Sequence, residues 1–495
     1  MRAGEGISRP RNGLKWMVLA AVMLGGIMGP IDASIVNVVL PSITNFFHAD
    51  IAIAQWVPTV YLLTISSLLL LYGRLGDMLG YRRVYLVGLA AFTVTSVLCG
   101  LSQSIGMLIF FRALQGVGAG MTMAVSFAII TSAFPPEERG KALGINAIAI
   151  AAGLAIGPTL GGVIALHLGW RFVFFINVPI GIATLVWVPR VVPHGLTRSR
   201  LRLDLSGATT AFVSLLCLVL YANRGQSWGW SSPSSLTLLS IAIISGLLFV
   251  YMERRASQPM LDLGLLANRT FSLANLSSLI NFMAQYVTVF ITPFYLMSIL
   301  HFSVDKVGWV MTASPIAVLC VAPASGAISD RIGTRLLAVC GTAVGSVALF
   351  LMSSLDASAS PFDVMWRLAL FGFGTALFQS PNNSAVMGSA PRAYLGVASG
   401  TLATMRNVGM VLGIAVAGAV VYGFAPFATS QPPSSFTSAQ SQEFLSAVQS
   451  AYVAGAVLAA TASLTSIAAS RRRGTSEGEP LISQAYHRGI DKNLK

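Results

Sequence analysis

Roughly fourteen apolar stretches, read at about 19 residues each, follow one another along this chain. They lie near 14–41, 55–72, 84–101, 105–130, 141–165, 172–192, 205–222, 235–252, 271–299, 307–328, 336–355, 364–387, 396–424 and 446–469. Many are unbroken by charge and long enough to cross a bilayer, which needs about 20 helical residues. A barrel is excluded, because its strands alternate polar and apolar residues in segments of about ten. Composition agrees: 10% of the 495 residues are charged, where a soluble globular chain carries about 25%. The fold class that follows is an all-α polytopic membrane protein of about fourteen spans.

The net charge of +14 points to a nucleic-acid partner only until its distribution is read. With the N-terminus inside, Arg2, Arg9, Arg11, Lys15, Arg74, Arg82, Arg83, Arg139, Lys141, Arg190, Arg254, Arg255, Arg331, Arg335 and Arg392 all face the cytoplasm. The opposite loops, 45–54, 102–106 and 424–445, hold no Lys or Arg. That asymmetry is a topology signal, and an even number of spans puts both termini in the cytoplasm. Nucleic-acid binding drops out. Cys99, Cys217, Cys320 and Cys340 fall in apolar stretches and read as small buried hydrophobes. The histidines sit at loops or helix ends with no metal-ligand spacing, so neither a metal nor a cofactor is expected. The first apolar run is too long for a cleavable signal and is expected to be retained. With the short loops, this suits a prokaryotic inner membrane.

Asp32 lies inside the otherwise apolar run from about Leu14 to Leu40. A carboxylate at the centre of hydrocarbon costs at least ~2.5–3.5 kcal/mol, so such a group defaults to proton relay, cation contact or pairing with a buried base. The alternative is a purely structural pair that holds helices in register. Asp32 is the one carboxylate well inside a stretch, since Asp77, Glu137, Glu253, Asp262, Asp330 and Asp363 fall near ends or loops. Arg112 is a cation inside another stretch, and arginine cannot lose its proton. Burial disfavours the charge on Asp32 and a nearby Arg112 favours it, so a change in their separation would change its hold on a proton. That is a basis for proton coupling; the sequence leaves open whether the two meet or act separately.

Two loops match. Gly73, Asp77, Gly80 and Arg82 recur at the same offsets as Gly326, Asp330, Gly333 and Arg335. Arg112, Gly116 and Gly118 are echoed loosely by Arg367, Gly372 and Gly374. The chain therefore reads as a duplicated six-helix unit: a tail at 1–13, a first bundle at 14–195, a linker with two extra spans at 196–255, a second bundle at 256–470 and a tail at 471–495. Transporters are commonly built this way, with the substrate site where the repeats meet. In the first loop Gly73 and Gly80 would permit a tight turn and close backbone approach. Asp77 could cap free amides, and Arg82 and Arg83 could pair with it or with acidic lipid. Such a loop can latch one face of a two-state protein, or be simply a tight turn with charged anchors.

Gly153, Gly157, Gly161 and Gly162 form a small-residue stripe beside Pro158. Residues four apart share a helix face, small residues let membrane helices approach closely, and proline permits a bend. A seam between the halves that seals and opens is one reading, and ordinary tight packing is the other. Gly409 and Gly413 offer a weaker echo. Candidate substrate contacts are the polar and aromatic residues inside stretches: Asn37, Tyr61, Gln115, Asn281, Gln285, Tyr286, Gln379, Asn382, Asn383 and Arg406. For each, helix–helix hydrogen bonding is the competing use. A single deep acid disfavours dications; monovalent cations, zwitterions and neutral lipophiles remain, and Arg112 and Arg406 leave room for an anion.

These motifs resemble the major facilitator superfamily, and within it the fourteen-spanner drug:proton antiporters, over about residues 14–470. The loop around Asp77 resembles the superfamily's loop between helices two and three, with Met78 where a basic residue is usual. The run from Asp32 through Asn37 to Pro41 resembles the first-helix signature, with Val39 in place of the usual Ala. Arg112 to Ala119 resembles the fourth-helix arginine motif and Gly153 to Gly162 the fifth-helix antiporter motif. The segments Gly169 to Gly181, which includes Asn177, and Pro259 to Phe271 are also family-like. The resemblance implies two six-helix bundles plus two linker helices in a single multi-pass monomer. It also implies export of small lipophilic or cationic organic compounds in exchange for protons by alternating access. The proton gradient would supply the energy and no cofactor is implied. Alternatives are a dedicated exporter or symporter of one metabolite, a passive channel, or a non-transporting membrane sensor.

Overall fold

The computed structural model describes residues 12–135, 138–193, 205–229, 231–255, 263–390, 395–429, 431 and 436–469. Nearly all of both expected tails, the basic loop 194–204, Glu137 and Asp262 lie outside the described residues. Every regular element described is helical. In chain order these are α1 (Asn12–Gly26), α2 (Met28–Phe46), α3 (Ile51–Ala54), α4 (Trp56–Leu79), α5 (Tyr81–Gly100), α6 (Ile105–Ala133) and α7 (Arg139–His167). Then come α8 (Phe172–Phe175), α9 (Asn177–Val191), α10 (Leu205–Trp228), α11 (Pro233–Arg255), α12 (Leu263–Ala267) and α13 (Arg269–Ser298). The chain closes with α14 (Val304–Met311), α15 (Ala313–Ile332), α16 (Thr334–Met352), α17 (Pro361–Gly388), α18 (Leu395–Phe424) and α19 (Ser438–Ala468).

Four of the rods are each interrupted once, at Ile27, Gln55, Ile176 and Thr312. Every interruption falls three residues before a proline: Pro30, Pro58, Pro179 and Pro315. Proline has no N–H for the carbonyl four residues back, and its ring crowds that carbonyl, so the helical ladder opens there. Joined across these breaks, the helices make the expected fourteen long rods, with α12 a short connector. Twelve rods are long and apolar enough to cross a membrane. Of the other two, α10 has 24 residues and an apolar stretch at Thr209–Leu218, and α17 has 28 residues but a more polar sequence, through Gln379, Ser380, Asn382, Asn383 and Ser384.

The duplication is visible in the packing. In the first half α2 packs on α7, α4 and α5 on α6, and α5 on α9; in the second half α13 packs on α18, α15 and α16 on α17, and α16 on α19. The halves meet along two lines related by the same symmetry, α7 against α14 and α15, and α18 against α4. The linker helices break the symmetry. They pair with each other, and α10 lies against α4 and α18, beside only one of the two lines. The outer surface is apolar, with Phe110, Leu247 and Phe350 all exposed, as expected where lipid replaces core. Cys320 and Cys340 belong to that surface, while Cys99 and Cys217 are buried. The expectation of four buried cysteines is corrected, because α15 and α16 turn part of their apolar faces outward.

Candidate functional site

Ser104 caps α6 by accepting from the Met107 amide at 3.2 Å, and Arg112 follows two turns later, on the same face as Gln115. Close helix packing carries both inward. A Cβ on Gly116 would lie 2.8 Å from the Tyr61 carbonyl of α4, and one on Gly118 would lie 2.5 Å from the Phe92 amide of α5. The three backbones can therefore approach as only glycine allows. At this junction Asp32 and Arg112 are each 1% exposed. They meet: Arg112 Nη1 donates to Asp32 Oδ2 at 2.5 Å.

The pair sits in a polar network. Gln115 Nε2 and Asn177 Nδ2 donate to Asp32 Oδ1 at 3.0 and 3.1 Å. Arg112 also donates to Gln115 Oε1 at 2.7 Å and to the Val57 carbonyl at 3.3 Å. Gln115 donates in turn to Ser96 Oγ at 2.8 Å, and the Cys99 thiol points to its oxygen at 3.7 Å. The guanidinium lies over the Tyr61 ring at 4.1 Å. A buried ion pair offsets its desolvation only when the remaining lone pairs and protons also find partners, and here three N–H donors converge on one carboxylate. Gln115 is fully occupied within this network, which corrects its expected place as a free substrate contact. Asn177, the first residue of α9, was not among the sequence candidates. An amide within an apolar run, two residues before the helix-breaking Pro179, was the available signal.

The glycine stripe divides between two neighbours. Cβ atoms built at Gly153, Gly157 and Gly161 would strike Ile27, Ser34 and Ile35 of the first rod, within the same half. Only Gly162 faces the other half, where a Cβ would lie 2.6 Å from the Val304 carbonyl. The seam reading therefore rests on Gly162 and on Gly308 of α14, whose Cβ would strike the Pro158 carbonyl. Thr159 and Thr312 share a 2.6 Å hydrogen bond just beyond. On α18, Gly409 and Gly413 face the α13 backbone within the second half, and Gly418 faces the Gln55 side chain of the first half. Gly409, Gly413 and Gly418 repeat the spacing of Gly153, Gly157 and Gly162. Both lines close near the face that carries loops 45–54, 102–106 and 424–445.

At the opposite face Gly80 ends α4 with φ +91° and Gly333 ends α15 with φ +91°. This backbone region is one that only glycine adopts readily, so the repeated loop is a repeated turn. Gly73 differs from expectation: a Cβ there would meet nothing within 4 Å, and close approach occurs at Gly76, against Val125 and Tyr81. Arg82 donates to the Val192 and Pro189 carbonyls at 2.9 and 2.8 Å. It thus ties α5 to the end of α9, a partner the sequence reading did not name. Arg83 is exposed, and the Asp77 side chain lies outside the described part of the structure.

The remaining candidates separate. Asn37 bonds its own helix through the Ala33 carbonyl at 2.8 Å, with its oxygen unpartnered. Tyr61 is within electrostatic range of Tyr286 across the halves, and Tyr286 of Arg406. Asn281 and Gln285 lie one turn apart on α13, each with an unpartnered polar atom. Asn382 lines a small cleft with Thr270, Arg335 and Ser466, within the second half. It is therefore set apart from the central group. Gln379 and Asn383 are half-buried on the same helix, and neither side chain makes a hydrogen bond among the described residues.

Comparison with known proteins agrees with this architecture. The Major Facilitator Superfamily model matches residues 22–273 and 274–480. The riboflavin transporter RibZ of Clostridioides difficile is 34% identical over 402 residues, 81% of this chain and 87% of that protein. The multidrug resistance protein Stp of Mycobacterium tuberculosis is 33% identical over 83% of this chain and 76% of its own. The tetracenomycin C resistance and export protein of Streptomyces glaucescens is 31% identical over 83% and 77%. Among solved structures, a bacterial homolog of the human lysosomal transporter Spinster, in an inward-facing and unoccupied conformation, superposes with TM-score 0.66 at 16% identity, over 93% of this chain and 98% of that one. The fold and the comparisons define a multi-pass membrane transporter. The chain belongs to the major facilitator superfamily.

Proposed function

We propose that this chain exports small lipophilic organic compounds across the cytoplasmic membrane in exchange for protons, by alternating access, with both termini inside. The observation that carries the reading is the Asp32–Arg112 pair, buried among the helices of the first half. In the described state the carboxylate is matched by one cation and two amide donors. A conformation that parted the pair would leave a buried carboxylate without its cation, and taking up a proton is the way such a group becomes neutral. Proton binding and helix movement are thereby linked. The two closed lines at the basic-poor face support an inward-open state, with Gly162 and Gly308 as the part of the seam that must separate when the outside opens.

The similarity to a multidrug resistance protein and to a tetracenomycin C exporter supports export; the similarity to a riboflavin transporter keeps a dedicated flavin carrier as the second reading. A cationic cargo loses ground, because Asp32 is already matched by Arg112 and no other carboxylate lies beside the pair among the described residues. The test uses inverted vesicles with riboflavin, tetracenomycin C and ethidium as probes and a pH-sensing dye. Wild type should move protons against at least one probe. Asp32→Asn should abolish that movement while inserting normally; unchanged proton flux would remove Asp32 from the mechanism.

A further inference from the structure

Arg406 is the one charged side chain of the central group that the proton-coupling network does not use. It lies in the middle part of α18, and among the described residues it makes no ion pair and no hydrogen bond. Its guanidinium stacks on the Phe282 ring of α13, 4.8 Å from the centroid. Tyr286 is the other group within its electrostatic range. A ring face supports a cation but takes none of its N–H groups, so the fork of five donors is left open. Arg406 is half-buried, and a permanent cation so placed among apolar helices favours an anion as its partner. The contrast with Arg112, whose donors reach a carboxylate, an amide and a carbonyl, is direct.

The two helices that carry Arg406 and Phe282 hold further polar groups without partners. Asn281 Nδ2 on α13 and Asn407 Nδ2 on α18 are buried donors without acceptors, and Gln285 Oε1 is a buried acceptor without a donor. Gly409 and Gly413 hold these two helices backbone to backbone against Leu279 and Met283, so the groups stand on a rigid pair. Phe282, Tyr286 and, from the other half, Tyr61 are buried aromatic side chains. We infer that Arg406 is the binding group for the carboxylate of an amphiphilic aromatic cargo, gripped in two-point fashion by the guanidinium edge, with the cargo's ring system against the aromatic residues. Planar forks of N–H donors match carboxylates in this way. Arg406 then sets the charge class of what is carried, and Asp32 is reserved for the proton.

This inference deepens the transport reading and rests on it only in placing the ligand on the translocation path. The test is binding in detergent by the intact chain, which needs neither a proton gradient nor turnover. Calorimetry compares 2-naphthoate with 2-naphthamide, two probes of nearly equal shape that differ in charge. The carboxylate should bind at least about tenfold more tightly, the scale of one charge-assisted hydrogen bond. Arg406→Gln should erase the preference, Arg406→Lys should keep part of it, and Asp32→Asn should leave it intact. Equal affinity of wild type for the two probes overturns the inference without any variant, as does a preference that survives Arg406→Gln. Loss of proton coupling in Asp32→Asn with no carboxylate preference would leave the antiport reading standing and this one refuted.

Discussion

In the first half a buried guanidinium, Arg112, meets a carboxylate at 2.5 Å; in the second, Arg406 stacks on Phe282 and meets no carboxylate at all among the described residues. The halves repeat each other's helix pairs and even the glycine spacing of α7 in α18, yet no acid stands in α13 to correspond to Asp32 in α2. The arginine that the repeat itself places opposite Arg112, Arg367, sits near the start of α17. It bonds the Asp363 carbonyl at 2.8 Å and lies 3.9 Å from the exposed Asp363 carboxylate. Duplication thus preserved the backbone and let the charges diverge, so that a compensated pair stands in the first half and an uncompensated cation in the second.

That asymmetry can be broken in graded steps. Arg112→Ala strands a buried carboxylate and should cost about 3–5 kcal/mol, read as a large fall in melting temperature in detergent. The double variant with Asp32→Ala should recover much of it. Equal losses in the single and double variants would show that the two charges do not depend on each other.

Asn177→Ala removes one of three donors to the Asp32 carboxylate. A hydrogen bond to a charge contributes about 1.5–3 kcal/mol, so melting should fall by less than for Arg112→Ala but measurably.

The two seam lines should respond unequally. At Gly308 an added methyl meets the Pro158 backbone, whereas at Gly418 it meets the end of a Gln55 side chain that can swing aside. Gly308→Ala should therefore expose a cysteine placed at Thr312 to an impermeant maleimide from the basic-poor face, and Gly418→Ala should do so far less. Matching reactivity in both would mean that the lines open independently of this packing.

Arg406→Gln should have the smallest effect on stability, with melting unchanged or slightly raised, because no ion pair is lost and an unmatched charge is relieved. A fall as deep as that of Arg112→Ala would reveal a partner for Arg406 and end the contrast between the halves.

Much of this was legible before the fold. Charge scarcity and the apolar stretches give a helical membrane protein, and the Gly80 and Gly333 turns appear where the loop repeat put them, each at φ +91°. Asp32 and Arg112 were legible as costly residues that need a reason. Their contact was not, because a separation of 80 positions along the chain says nothing of which helix faces turn toward each other. The role of Gln115 was hidden for the same reason: an amide in an apolar run reads alike whether it faces cargo or a neighbouring helix. The stripe Gly153, Gly157, Gly161 and Gly162 read as one face, although adjacent Gly161 and Gly162 must point to different neighbours on a helix turning about 100° per residue. The helix breaks were written in Pro30, Pro58, Pro179 and Pro315, but Pro41 and Pro158 lie inside unbroken helices, so proline alone does not mark them.

The most direct measurement separates uphill from downhill movement. Inverted vesicles containing wild type should concentrate whichever probe proves to be carried when a pH gradient, acid inside, is imposed, and should also exchange labelled for unlabelled probe without one. Asp32→Asn should retain exchange and lose accumulation. Accumulation by Asp32→Asn to the wild-type level would contradict the assignment of proton coupling to that carboxylate.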